Sequence, residues 1–238
     1  MAIVTRSSEI TKPPEPRTPP LEPGDRLSRA EFERRYEAMP ELKKAELIEG
    51  VVYMPSPVRF RRHSNPHARF IGWLVHYEAR TPGVEVGDNG TARLDLDNEP
   101  QPDGLLLIDP ACGGQARVSE DDYIEHAPEL VGEVASTSAS YDLNIKLNVY
   151  RRNGVREYIV WRVLDRAVDW FVLVEDRYEP LRPESDGLLK SRVFPGLWLD
   201  PAALIRGDMA RVLEVLDQGL AYPDHAAFVA RLQAASAR

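Results

Sequence analysis

Two short apolar runs constrain this chain more than any other feature. Asp103 to Ile108 is nearly all apolar after its acidic start, and Leu130 to Ala135 is interrupted only by Gly132 and Glu133. Runs of this kind, with no alternation of polar and apolar residues, read as strands covered on both faces. A sheet built around two such strands needs helices on each side of it.

The remaining pattern supplies those helices. Ser28-Arg29-Ala30-Glu31 predicts a capping box opening a short helix that ends near Pro40, and Glu41 to Ala45 a second helical turn. Gly50 then hands over to a short strand, Val51 to Met54, stopped by Pro55 and Pro57. From His67 to Arg80, residues Phe70, Ile71, Leu74, Val75 and Tyr77 recur at helical spacing, and Pro82-Gly83 ends that stripe. Strands are expected at Val84 to Val86 and Ala92 to Leu96, joined by an Asp88-Asn89-Gly90 turn. A helix is expected from Tyr141 to Arg152, with Leu143, Leu147 and Tyr150 on one stripe and Gly154 as its stop. Tyr158 to Val163 and Val168 to Leu173 read as a hairpin, Arg177 to Leu181 as a further strand. From Pro201 onward the pattern is helical, with Leu213, Leu216 and Leu220 on one stripe. The order predicts an α/β (α+β) domain over residues 26–205, a central mixed sheet flanked by helices. A Pro-rich flexible tail (1–25) precedes it and a helical extension (206–238), a cap or an oligomer contact, follows.

Bulk properties narrow the function classes. A domain of this size buries an ordinary core without staples. The single cysteine, Cys112, lies in a Gly-rich stretch and reads as a surface-loop thiol. No apolar run approaches the ~18–20 residues of a membrane span, and the N-terminus lacks the pattern of an export signal. The expectation is a soluble, cytoplasmic chain with no membrane partner. A net charge of −8 argues against a sequence-blind DNA coat, because phosphate neutralisation dominates such binding. It leaves room for a nuclease with local basic groups, and clusters exist at Arg59-Phe60-Arg61-Arg62-His63 and at Arg151-Arg152 with Arg156.

Three ionisable residues stand out by position. Asp103 opens one apolar strand, Glu133 sits inside the other, and Lys146 lies on the helix that follows. Side chains alternate along a strand, so Glu133 faces the same way as Val131 and Ala135. A carboxylate among apolar residues needs a cation, a hydrogen-bond partner or a raised pKa. Lys146, 13 residues on, can lay its stem along the sheet and bring its ammonium to the strand ends. Two carboxylates and an ammonium there suit phosphodiester hydrolysis with Mg²⁺, the acids holding the hard cation and the ammonium orienting water or neutralising developing charge. A structural ion pair between Glu133 and Lys146 is the competing reading.

The strings Gln101-Pro102-Asp103-Gly104-Leu105-Leu106, Pro128 through Ser136, Asp142-Leu143, Lys146, Tyr150, Gly154-Val155 and Glu157-Tyr158 together resemble one family. It is the bacterial family of putative restriction endonucleases, a branch of the PD-(D/E)XK nuclease superfamily. Glu46-Leu47-Ile48-Glu49-Gly50 and Phe194-Pro195-Gly196-Leu197 also resemble its pattern, so the likeness runs over roughly residues 40 to 205. The resemblance implies a restriction-endonuclease-like fold, Mg²⁺ (or Mn²⁺) on Asp103 and Glu133, and a lysine on the following helix, matching Lys146. It further implies an acidic residue from the N-terminal region, matching Glu46. His67 matches a histidine at the start of the second helix: a helix-start residue, a phosphate contact or a support to the site. Asn144 and Gly132 depart from the pattern without removing a metal ligand.

The leading expectation is a Mg²⁺-dependent endonuclease that hydrolyses DNA with metal-activated water, and a homodimer would let one site per chain cut both strands. A metal-dependent hydrolase of RNA or nucleotides fits the same site. A nuclease-fold binding or scaffold protein without turnover is the alternative from another class.

Overall fold

The computed structural model describes residues 18–54 and 57–237. Its elements in chain order are α1 (Arg29–Glu37), β1 (Glu46–Ile48), β2 (Val51–Tyr53), α2 (Asn65–Glu78), β3 (Val84–Gly87), β4 (Ala92–Arg93), β5 (Gly104–Ile108), β6 (Arg117–Val118), β7 (Ile124–Glu125) and β8 (Leu130–Ala135). They continue with α3 (Ala139–Tyr141), α4 (Leu147–Arg152), β9 (Glu157–Arg162), β10 (Ala167–Val174), β11 (Arg177–Pro180), β12 (Leu189–Lys190), β13 (Trp198–Leu199), α5 (Pro201–Arg206), α6 (Met209–Leu220) and α7 (Pro223–Ser236).

Six strands form the central mixed sheet in the order β11-β10-β9-β8-β5-β3. The two apolar runs are its neighbours β5 and β8, paired antiparallel with Gly104 opposite Gly132. β8 runs parallel to β9, with Glu133 opposite Val160. Every residue of β5 and β8 is buried, because helices cover both faces as the unbroken apolar runs require. On one face, Phe70, Trp73 and Leu74 of α2 pack against Leu106, Leu130, Val134 and Ile159. On the other, Tyr150 of α4 joins Leu105, Val131, Ala135 and Tyr158. A third, smaller core gathers Leu21, Phe32, Ala45, Leu47 and Val52 from the N-terminal lobe.

Several local expectations are corrected. The segment Glu41 to Ala45 is not helical; it leads directly into a β1–β2 hairpin, whose two-residue turn, Glu49-Gly50, has positive φ at both positions (54° and 69°). Such a turn matches the right-handed twist of the strands, and it outcompetes a helix in this short segment. Ser28 precedes α1 without a side-chain cap hydrogen bond. Asp88-Asn89-Gly90 does not close a hairpin, since β3 pairs with β5 while β4 pairs with β7 in a separate three-stranded sheet. β3 continues the main sheet because its register with β5 buries Val84 in the core, a long-range gain that local turn chemistry does not foresee. Asp103 immediately precedes β5. A five-residue π-turn, Phe60–Ser64, runs into α2, which begins at Asn65 and not at His67. The expected helix from Tyr141 is present but starts at Ala139 and contains a second π-turn, Asp142–Lys146.

Of the segment read as a tail, residues 1–17 fall outside the described residues, as does Pro55. Its last part is packed: Leu21 is buried, and the Gly24 N–H donates to the Val52 carbonyl at 2.8 Å. Residues beyond 206 supply Val212, Leu216, Phe228 and Leu232 to the same core as α2. Among the described residues no helix is long and apolar enough to cross a membrane.

Candidate active site

Glu133 lies mid-strand on β8, where alternation points it with Val131 and Ala135 toward the helix spanning α3 and α4. That helix returns over the strand it left, and its π-turn carries Lys146 inward. Lys146 is 4% exposed, so its ammonium is committed to protein partners. Its Nζ donates to Glu133 Oε1 at 2.9 Å and to Glu46 Oε1 at 2.8 Å, joining residues 100 positions apart. Glu46 enters from the β1–β2 hairpin, where its Oε1 also accepts from the Gln101 N–H at 2.8 Å.

Asp103 approaches from the position just before β5. Its Oδ2 accepts from the Val134 N–H at 2.8 Å, the amide that follows Glu133. The same oxygen lies 3.2 Å from His63 Nε2, and Oδ1 faces Lys44 Nζ at 3.5 Å. The structure therefore brings Asp103, Glu133, Lys146 and Glu46 together. His67 stands beside them in another capacity: its Nε2 lies 2.7 Å from the Asp103 carbonyl oxygen and 3.1 Å from Asp88 Oδ1. It anchors the first turn of α2 to the main chain at Asp103.

Three neighbours escape sequence reading. His63 belongs to a basic cluster whose proximity to Asp103 depends on the π-turn. Lys44 follows from the hairpin that replaces the expected helical turn. Tyr150 sits on the predicted apolar stripe, yet its hydroxyl donates to Glu133 Oε1 at 2.9 Å. A tyrosine in place of leucine on a buried stripe is the one available signal, since a buried phenol needs a partner.

The electrostatics follow from crowding. Glu46, Asp103, Glu133 and Asp142 are all buried, against the ammonium groups of Lys44 and Lys146. Burial, and then the carboxylates of Asp103, Asp142 and Glu46, push the Glu133 carboxyl up against the pull of Lys146. Burial also opposes ionisation of Asp103, but the His63 contact, Lys44 and the Val134 amide hold its carboxyl well below the usual carboxylate range. For Lys146, burial is outweighed by Glu133, Glu46 and Asp142, which hold its pKa well above that of an ordinary lysine. Lys146 is thus held as an ammonium between the two carboxylates.

No group of three or more His, Cys, Asp or Glu side chains among the described residues is spaced as a ready-made metal cage. That is no obstacle to Mg²⁺, which keeps several waters and takes only one or two carboxylates plus substrate phosphate oxygens. The donor set fits such an ion. Asp103 has Oδ2 tied by the Val134 amide and Oδ1 facing the Lys44 ammonium, while Glu133 has Oε1 tied by Lys146 and Tyr150 and no donor among the described residues reaches its Oε2. The excess of buried acid over ammonium is the charge imbalance a hard dication relieves.

Comparison with known proteins identifies the family and the fold. The profile of a family described as "Putative restriction endonuclease" (Uma2) matches residues 29–202, most of the chain. Among solved structures, a crystal structure described as a putative nuclease from Anabaena variabilis aligns with a TM-score of 0.52 at 16% identity. The alignment covers 72% of this chain and 97% of that one. At that identity the likeness speaks for the fold. No curated protein matches the sequence.

Proposed function

Because the chain belongs to the Uma2 family of "Putative restriction endonuclease" proteins, we propose that it is a Mg²⁺-dependent endonuclease hydrolysing the phosphodiester bonds of DNA. One observation carries the reading: Lys146 is buried between Glu133 and Glu46, beside an Asp103 fastened to the amide next to Glu133. Such a concentration of buried charge is costly to a fold, and a site for an anionic, metal-assisted reaction gives it a purpose.

Asp103 and Glu133 would hold Mg²⁺ or Mn²⁺. When bound, the cation supplies Lewis acidity to the phosphoryl group and lowers the pKa of a coordinated water. Lys146, locked as an ammonium, stabilises negative charge developing on phosphorus. Being pre-oriented by two carboxylates, it spends no reorganisation energy in doing so. Tyr150 and Lys146 together fix the Glu133 rotamer, leaving Oε2 as its donor oxygen. Glu46 holds Lys146 from the far side. Cutting both strands of a duplex would need a second copy of the chain.

The test is conversion of supercoiled plasmid by purified protein, with Mg²⁺ or Mn²⁺ and with EDTA. Metal-dependent nicking that disappears in Glu133→Gln supports the proposal. Retained cleavage in Glu133→Gln overturns the site assignment. Absence of cleavage of any DNA or RNA with either metal leaves the nuclease-fold scaffold as the better reading.

A further inference from the structure

The site is acidic and the chain carries net charge −8, yet its substrate would be a polyanion. Something beside the carboxylates must attract phosphate. The segment from Val58 to Arg62 meets that need. Arg59, Arg61 and Arg62 are all exposed, and none pairs with an acid among the described residues. Nowhere else in the sequence do three arginines fall within four residues. Phe60, between Arg59 and Arg61, is 68% exposed and Val58, just before Arg59, is 64% exposed, although most of the large apolar side chains are buried.

This segment is fixed to the catalytic residues. His63, at the end of the same run, places Nε2 3.2 Å from Asp103 Oδ2, and its ring lies 5.5 Å from that of His67. The Arg59 carbonyl accepts from the His63 and Ser64 N–H groups at 2.9 and 3.2 Å, closing the π-turn. Phe60 to Arg62 lie within one turn of His63, ~5 Å along the axis, and His63 is the residue of that turn that contacts Asp103. π-turns recur at functional sites.

We infer that Val58–Arg62 is a docking element for an unpaired stretch of nucleic acid beside the scissile phosphate, with Arg59, Arg61 and Arg62 on the backbone and Phe60 stacked on a base. Charge complementarity selects the nucleic acid. The exposed ring selects an unpaired strand, because a base in an intact duplex offers no free face to it. The inference rests on the nuclease reading and narrows its substrate class to single-stranded or frayed regions, which one catalytic centre can cut without a second copy.

The experiment is fluorescence anisotropy of the full chain with a labelled oligo-dT 20-mer and with a duplex of equal length. It is run in EDTA and again with Ca²⁺, over a salt series. The wild type is expected to bind the single strand more tightly. Phe60→Ala should weaken single-strand binding by about tenfold and barely change duplex binding, while Phe60→Trp preserves it. The triple variant Arg59→Gln, Arg61→Gln, Arg62→Gln should weaken both and lower the slope of log affinity against log salt by about two. All four positions are exposed, so the substitutions are expected to leave the fold intact, which thermal melts check. Variants that bind like the wild type, or a Phe60→Ala loss equal for both ligands, overturn the inference while plasmid cleavage leaves the nuclease reading standing. A wild type that neither binds nor cuts nucleic acid overturns the nuclease reading itself.

Discussion

Replacing Gly132 by alanine would test whether the packing of α2 sets the geometry of the site. Gly132 and Gly104 lie opposite each other on β8 and β5, and the Phe70 ring of α2 occupies the slot they leave. A Cβ on Gly132 would collide with Phe70 Cζ and Cε1, far inside the ~3.5 Å of an ordinary carbon contact. A Cβ on Gly104 would meet Phe70 Cε1 at 2.9 Å and Ile71 Cδ1 at 3.0 Å. Phe70 is only 1% exposed, so its ring has nowhere to swing, and α2 must lift from the sheet. Overpacking of this kind costs about 1–3 kcal/mol, which for a chain of this size lowers Tm by roughly 3–10 °C. The first turn of α2 holds His67 on the Asp103 carbonyl, so Mg²⁺ affinity should fall in parallel. Urea unfolding and thermal melts of Gly132→Ala, Phe70→Leu and the double variant measure the coupling. The smaller side chain should recover about 1 kcal/mol or more in the double variant. A Gly132→Ala protein within ~0.5 kcal/mol of wild type, or no recovery, would refute the slot.

Other outcomes follow from the same reasoning. Glu99 is buried, and burial first, then Glu33, push its carboxyl up to about 8 against the pull of Arg93 and Arg29. The folded state therefore keeps a proton that the unfolded chain has released, and stability falls as pH rises from the ordinary carboxylate range toward 8, by up to about 1.4 kcal/mol per unit. Glu99→Gln should flatten that slope and raise Tm at pH 8 more than at pH 5; thermal melts with the wild-type slope would contradict it. Lys146→Met leaves Glu133 and Glu46 buried without their cation and should cost about 3–5 kcal/mol in urea unfolding at pH 7. The cost shrinks in acid as the Glu133 carboxyl, pushed up by burial, takes up a proton, so a pH-independent loss would count against the pair. Phe228→Ala, in the last helix, should cost about 3–5 kcal/mol, because Phe228 packs in the core shared with α2; a cost below ~1 kcal/mol would detach α7 from that core.

The sequence discloses those parts of the site that interrupt a strong local pattern. Asp103 and Glu133 are visible because charges in unbroken apolar runs are costly, and strand alternation gives Glu133 its correct face. Lys146 is legible as a charge at the edge of a helical stripe. Glu46 enters only through the family likeness, since the β1–β2 hairpin that delivers it is set by a two-residue turn in a segment of helical composition. His63 and Lys44 stay hidden because the π-turn and the hairpin that aim them leave no periodic signature. The pairing of β3 with β5 defeats a local reading of Asp88-Asn89-Gly90, because the partner lies some 20 residues on. The stripe of α6 is nearly right: Leu216 is buried as expected, but Val212 and Val215 are its buried companions and Leu213 and Leu220 lie at the margin.

Calorimetric titration of Mg²⁺ and Mn²⁺ into the wild type, Asp103→Asn and Glu133→Gln shows whether these two carboxylates hold the cation, with melts to verify that each variant is folded. The wild type should give a metal-binding isotherm that weakens at least about tenfold when either acid is neutralised. Folded variants that bind either metal as tightly as the wild type would contradict that role.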